Sequence, residues 1–336
     1  MTDAPLYLSP AEQAAFLHTA PSLAGRVNVH RLGIDEDHAV HQSRVRLAHG
    51  VAEFYMCRDC ETYGWVLNSA GESKVFNVFR SVLDDGKLCT RHPSASTVLD
   101  IGANEGFFGL LSASWGCLTY FFEPQPSCQS HIYASLRLND FGPSVARLVP
   151  RPVGAYVTSI AVSPTAHCAG QYPRREGDRA EVVHPMRMRS RSDVRRAPRV
   201  DLKPLLRGEH VALAKVDVEG AEMDVLQTLL PFMCRKRVRN VIVELSPLWW
   251  TQLNTSFGAA LQLAANIDKC GFRLRTTAEL RVGRLCMPPC IGSKERRAAW
   301  AAPPPGELLN VSFREHLVRS QGAFQHDVWL SVDGAA

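Results

Sequence analysis

The chain has 336 residues, 38 Lys+Arg against 33 Asp+Glu, and 46% hydrophobic residues. That length suits one large domain with additions, or two domains, and the composition excludes a fibre or a disordered chain. The net charge of +5 sits in one stretch: Arg174 to Arg207 holds 11 basic and 5 acidic residues, leaving 27 against 28 elsewhere. A uniformly basic coat for nucleic acid is therefore excluded.

At the N-terminus, Asp3 stands where a secretory leader would be basic, and no apolar core follows. No run approaches the roughly 18 apolar residues of a membrane span. These features predict a cytoplasmic protein that does not cross a membrane. Ten cysteines scattered through a long chain predict reduced thiols rather than a disulfide framework.

Residues 1–94 read as an N-terminal cap region, with an apolar stripe (Val75, Phe76, Val78, Phe79, Val82) predicting a helix over Ser73–Asp85. From Thr97 the pattern becomes regular. Short apolar runs at Thr97–Ile101, Leu118–Phe122, Ala146–Val149, Ala212–Val216 and Val241–Leu245 predict buried parallel strands. Between them lie predicted helices over Phe107–Ser114, Ser127–Asn139, Ala221–Met233 and Ser256–Cys270, the last closed by Gly271. Phe272–Thr276 and Asp327–Val332 read as two further strands. The domain so delimited runs over residues 95–333, with insertions at about 170–207 and 281–325.

The most informative stretch is Asp100-Ile101-Gly102-Ala103-Asn104-Glu105-Gly106, where a strand ends, the chain turns on glycines and a helix begins. Gly102 and Gly106 allow a tight turn and close backbone approach, and the helix start offers free N–H groups. The dinucleotide pattern G-x-G-x-x-G is not met, because Asn104 replaces its second glycine and Asp100 precedes the first. An acid there suits a ligand carrying an ammonium or sulfonium group. Glu123 ends the next strand, 23 positions after Asp100 and just before Pro124. An acid so placed commonly binds both hydroxyls of a ribose. Lys215, Asp217 and Glu219 alternate along a later strand end and so share a face, at the edge where such sheets bind ligands.

The ordered set D-I-G-A-N-E-G, F-F-E-P, L-R-L-N, K-V-D-V-E-G-A-E and V-I-V-E-L resembles the FkbM family of S-adenosylmethionine-dependent methyltransferases. The resemblance runs from about Thr97 to Thr277 and resumes in the closing strand near Asp327. It implies an α/β class I methyltransferase fold: a Rossmann-like, seven-stranded sheet, mostly parallel with an antiparallel last strand and helices on both faces. By the same resemblance Asp100, Gly102, Ala103, Asn104 and Gly106 line the methionine part of the cofactor, Glu123 with Pro124 holds its ribose, and Asn139 ends the next helix. Asp217 and Glu219 match the acidic pair facing methyl group and acceptor. For a hydroxyl acceptor Asp217 is the first candidate base, Glu219 the second, and Lys215 orients Asp217 or the acceptor. Both insertions are longer than the family's, and both fall where an acceptor site is built.

The function so implied is O-methylation of a small-molecule or glycan hydroxyl. An RNA or other nucleic-acid methyltransferase and a non-catalytic cofactor-binding scaffold are the alternatives. The arginine-rich stretch reads either as a solvated loop or as a clamp for an anionic acceptor. No aromatic residues interleave with its arginines, which disfavours nucleic acid. Cys57, Cys60, Cys286 and Cys290 have a spacing that could supply four zinc ligands, but buried or free cysteines are the better reading and no metal is expected. No P-loop and no G-x-S-x-G elbow occurs. Trp249 and Trp250 follow a strand and read as packing residues, or as an aromatic wall for the acceptor.

Overall fold

The structure, a computed structural model, describes residues 41–46, 53–58, 70–84, 87–91, 96–155, 159–162, 168, 172–176, 179–183, 195–206, 208–253, 255–275, 308–309, 311–321 and 325–332. Its centre is a seven-stranded sheet. In chain order the strands are β3 (Thr97–Ile101), β4 (Thr119–Phe122), β5 (Ala146–Val149), β10 (Val211–Val216), β11 (Val238–Leu245), β12 (Phe272–Arg275) and β13 (His326–Val332). Their spatial order is β12-β13-β11-β10-β3-β4-β5. Neighbours from β5 to β11 pair in parallel, and β13 runs antiparallel to both β11 and β12. That is the expected sheet, mostly parallel with its last strand reversed.

These strands form where they do because both faces of the sheet are covered. Burial is complete along β3, β4 and β10, so their sequences read as apolar runs rather than alternations. One face, from Leu99, Ile101, Tyr120 and Phe122, packs against α6 (Glu222–Cys234), α8 (Phe257–Lys269) and α9 (Phe313–Arg319). The other, from Val98, Phe121, Ile242 and Trp329, packs against α1 (Ala70–Leu83), α3 (Phe107–Ser114) and α4 (Pro126–Leu138). The predicted helix over 73–85 is thus α1, starting three residues earlier. Its buried Val75, Val78, Phe79 and Val82 join the core of the main sheet.

Several elements were not foreseen. Strands β1 (His41–Arg46) and β2 (Glu53–Arg58) form an antiparallel pair, and Phe54 of β2 meets the Phe107 ring edge-on. A short helix, α2, covers Lys87–Arg91. A four-stranded sheet forms from β6 (Ser159–Val162), which precedes residues 170–207, and β7 (Tyr172–Glu176), β8 (Arg179–Val183) and β9 (Arg195–Pro198) within them, in the order β7-β8-β6-β9. The short helices α5 (Leu202–Leu205) and α7 (Pro247–Trp250), the latter continued by a 3-10 turn over Thr251–Leu253, complete the described elements.

The cysteine expectation is corrected. Cys89 and Cys117, Cys128 and Cys168, and Cys234 and Cys270 form three disulfides, with Cα–Cα separations of 4.7–4.8 Å. Composition could not show this, because each pair is 28 to 40 residues apart in sequence and meets only through the fold. The side chains of Cys57, Cys60, Cys286 and Cys290 lie outside the described residues. No helix among the described residues is long and apolar enough to cross a membrane.

Candidate active site

All the candidate residues but Asn139 gather at the carboxyl edge of the parallel strands, at the exits of β3, β4, β10 and β11, the edge where such sheets bind ligands. At the β3 exit, Asp100 is 1% exposed. Its Oδ2 accepts the backbone N–H of Gly109, in the first turn of α3, at 2.8 Å. The helix start thus spends one of its free donors on this carboxylate, where the dipole favours an anion. Asp100 Oδ1 has no hydrogen-bond partner and lies 3.9 Å from the Lys215 ammonium. Burial raises the Asp100 pKa, against the opposing charge of Lys215.

The glycine turn is shaped by the neighbouring strand. Gly102 has φ +78°, and any Cβ there would overlap the backbone carbonyl of Asp217. The amide of Asp217 in turn donates to Ile101 O at 3.0 Å. Gly102 is therefore glycine because the β10 exit crosses directly over it. Gly106, φ +89°, sits at the N-cap of α3, and Asn104 between them also has positive φ, +53°. Ala103 is buried in the same turn.

At the β4 exit, Glu123 is 2% exposed, and its two oxygens accept the amides of Asn104 and Gln125, each at 2.8 Å. It thereby ties its own strand exit to the glycine turn. Burial pushes its pKa up to about 8 despite those two bonds. Pro124 follows and α4 begins two residues later. Asn139 is not brought to this edge. It caps the far end of α4, with its Nδ2 donating to Ser135 O at 2.7 Å. A helix of 13 residues spans about 20 Å, so Asn139 lies at the opposite end of the sheet.

The third group does not hold strand alternation, because β10 ends at Val216 and the chain turns through Glu219 (φ +51°) and Gly220 (φ +105°). The turn nonetheless draws the acids together: carboxylate oxygens of Asp217, Glu219 and Glu244 lie within 4.8 Å of one another. Lys215 Nζ reaches Asp217 Oδ2 at 2.8 Å and stands 5.5 Å from the centre of the Phe108 ring. Burial alone would raise Asp217, but the Lys215 charge, its hydrogen bond and one from Glu244 together hold its pKa below the usual value. Burial, the Asp217 charge and the Glu222 charge push Glu219 up to about 8. Burial and the Asp217 charge push Glu244 well above its ordinary value, and in its protonated form Glu244 donates a hydrogen bond to Asp217.

Glu244 and Gln325 are the members that sequence reasoning missed. Glu244 ends an apolar strand just as Glu123 does, and that signal was present in V-I-V-E-L. Gln325 had no such signal. It enters because β13 pairs Leu245 with His326, which sets the preceding residue, Gln325, beside Ser246. Its Nε2 donates to Glu219 Oε2 at 2.7 Å and lies 3.2 Å from Ser246 Oγ and 3.5 Å from Glu244 Oε2. The two tryptophans have distinct places. Trp250 is buried and its Nε1 donates to Glu222 Oε2 at 2.8 Å, while Trp249 packs over Gly220. Chemically, the edge offers two buried acids, Asp100 and Glu123, a backbone-rich turn between them, and a carboxylate cluster able to hold and accept protons.

A family model described as the methyltransferase FkbM domain matches residues 100–274, just over half of the chain. No curated protein matches the chain. Among solved structures it is similar to a SAM-dependent methyltransferase from Agrobacterium tumefaciens, at 8% identity. That alignment covers 89% of this chain and 72% of the other, with a TM-score of 0.39. It is also similar to the plantazolicin methyltransferase BpumL in complex with SAH, at 11% identity over 78% of this chain and 85% of that one, with a TM-score of 0.31.

Proposed function

The chain belongs to the FkbM methyltransferase family, and from that premise we propose that it uses S-adenosylmethionine to methylate a hydroxyl of a small molecule or glycan. The observation that carries the reading is the meeting, at one sheet edge, of the Asp100–Glu123 turn with the Lys215–Asp217–Glu219–Glu244 cluster. The first half suits the cofactor. Asp100 Oδ1, buried and without a hydrogen bond, is an acceptor that a cationic or N–H-bearing group of the ligand would satisfy. Each Glu123 oxygen spends one lone pair on an amide and keeps another for a ribose hydroxyl. Gly102, Ala103, Asn104 and Gly106 supply the close backbone wall.

When bound, the cofactor supplies an activated methyl group, so alignment and proton removal are what remain for the protein. The acceptor hydroxyl must lose its proton as its oxygen gains the methyl. Asp217 is a weak base because Lys215 and Glu244 both stabilise its charge. Glu219, with its affinity for protons raised, is the stronger base and replaces Asp217 as the first candidate. Lys215 then orients Asp217 and, with it, the wall of the acceptor site. The disulfides support folding in an oxidising compartment rather than in the cytoplasm.

The test is transfer of a labelled methyl group from S-adenosylmethionine into a metabolite extract, with the product identified by mass. A labelled ether product is expected; labelling on nitrogen or carbon alone, or none, rejects the assignment. In that assay Glu219→Gln should lose about 100-fold or more in turnover while binding cofactor normally by calorimetry. Asp100→Asn should lose cofactor binding itself.

A further inference from the structure

Gln325 lies 106 residues from Glu219 in sequence and reaches it from the closing strand. Glu219 is faced by Lys215 and Asp217 from the β10 exit, by Glu222 from the start of α6 and by Glu244 from β11; Asp327 of β13 acts on Asp217 and Glu244, and Lys74 of α1 acts on Asp327. Acids outnumber the two lysines in this set. Against that field the Gln325 amide donates a hydrogen bond to the Glu219 carboxylate at 2.7 Å. The amide carries two hydrogens, and buried Ser246 offers the second an oxygen at 3.2 Å. Ser246 sits immediately after β11, and His326, next to Gln325, meets His316 of α9 with ring nitrogens 3.0 Å apart. The amide is therefore anchored on both sides and has one orientation to present.

We propose that Gln325 is the positioning residue of this site: its anchored amide holds the Glu219 carboxylate in one rotamer and favours the ionised form, the form that can accept the acceptor's proton. The proposal rests on Glu219 being the base, as argued above, but its physical content can be tested without any acceptor. A donor amide stabilises the ionised carboxylate. A carboxylate in its place adds like charge and strengthens proton binding, whereas an ammonium weakens it. His326, held down to about 4 by burial and by His316, stays neutral throughout the range concerned and adds no competing titration.

The experiment is carbon-13 NMR of the full chain carrying glutamate labelled at the side-chain carboxyl. The Glu219 resonance is assigned by its loss in Glu219→Gln and followed from pH 5 to 10. Gln325→Glu should move the Glu219 titration upward by about one pH unit, a ten-fold tighter proton, and Gln325→Lys should move it downward by a similar amount. Mere structural damage would shift both variants the same way. Shifts of the same sign, or no shift in either, overturn the proposal. If the charged variants do not fold, Gln325→Met, close in shape but without a donor, must still raise the titration, and an unmoved midpoint again overturns it. Methyl transfer by the same variants is read separately: the rising limb of the rate against pH should follow the carboxyl midpoint. Absence of any transfer by the wild-type chain would count against the proposed function and leave the titration result standing.

Discussion

Asp100, Asp217, Glu219, Glu244 and Asp327 converge on the carboxyl edge of the sheet around the ammonium of Lys215, with Lys74 of α1 also acting on Asp327. Most of these acids keep protons that a solvated carboxylate would have lost, and this makes stability depend on pH in a definite direction. Glu219 binds its proton more tightly in the folded chain, near 8, than unfolded, near 4.5. A raised acid contributes its stability fully below the unfolded value and loses it as pH climbs through the folded value. Between pH 4.5 and 8, then, Glu219 costs the fold progressively more. Glu219→Gln should leave the melting temperature close to wild type at pH 5 and raise it at pH 8.5, because the neutral amide still accepts from Gln325. A variant less stable than wild type at pH 8.5 would contradict the assignment of charge. Gly102 makes the opposite kind of demand. A methyl there must displace the Asp217 carbonyl and hold φ near +78°, a strain of about 1–3 kcal/mol before the overlap is counted. Gly102→Ala should lower the melting temperature by several degrees and weaken cofactor binding, since it pushes apart the two strand exits that form the site.

At the level of elements, what the sequence makes legible follows from burial. β3, β4 and β10 are covered on both faces, so their apolar runs stand out, and the acids that follow them, Asp100, Glu123 and Asp217, are visible as sudden charges. The strands of the four-stranded sheet carry no such mark: β7 and β9 contain Arg174, Arg175, Arg195 and Arg196, a composition that reads as a solvated loop. Helix α9 was readable and was missed, because Ser312 and Glu315 are a capping pair, the Ser312 hydroxyl accepting the Glu315 amide at 3.1 Å. Gln325 could not be read at all, since a neutral side chain gains its role only from the register of β13 on β11. A similar long-range tie joins α6 to the exit of β5. Asp224, in the first turn of α6, accepts the Ala155 amide at 2.8 Å, and a side chain on Gly154 would collide with the same carboxylate. Asp224 is 8% exposed, so its removal leaves a partly buried N–H without a partner. Asp224→Ala should cost about 1–3 kcal/mol in chemical denaturation, and Asp224→Asn, which keeps an acceptor, should recover most of it. Equal losses in both would mean that the charge, and not the hydrogen bond, holds the loop.

Across the whole molecule the three disulfides are placed unequally with respect to solvent, and this sets the order in which they yield. Cys89, Cys117, Cys128 and Cys168 are all at most 2% exposed, whereas Cys234 is exposed and Cys270 half-buried at the ends of α6 and α8. A thiolate must reach a sulfur to exchange with it, so reduction of the native chain should begin at Cys234–Cys270. The other two bonds should resist until the fold opens. The loops closed are 28, 40 and 36 residues long by sequence separation, and on the chain-entropy account each is worth about 3–4 kcal/mol. Losing one should lower the melting temperature and keep the fold. Losing all three removes an amount comparable to the whole stability of an ordinary domain. The check is a dithiothreitol series under native conditions, quenched by alkylation and read by peptide mass. Cys234 and Cys270 should label first, with a cooperative melt retained. Cys89, Cys117, Cys128 and Cys168 should label together with the loss of structure, because only unfolding exposes them. Labelling of Cys128 and Cys168 at the rate of the outer pair would show that the segment around Cys168 opens by itself, and with it the wall beside Asn104, whose Oδ1 lies 2.9 Å from the Cys168 sulfur.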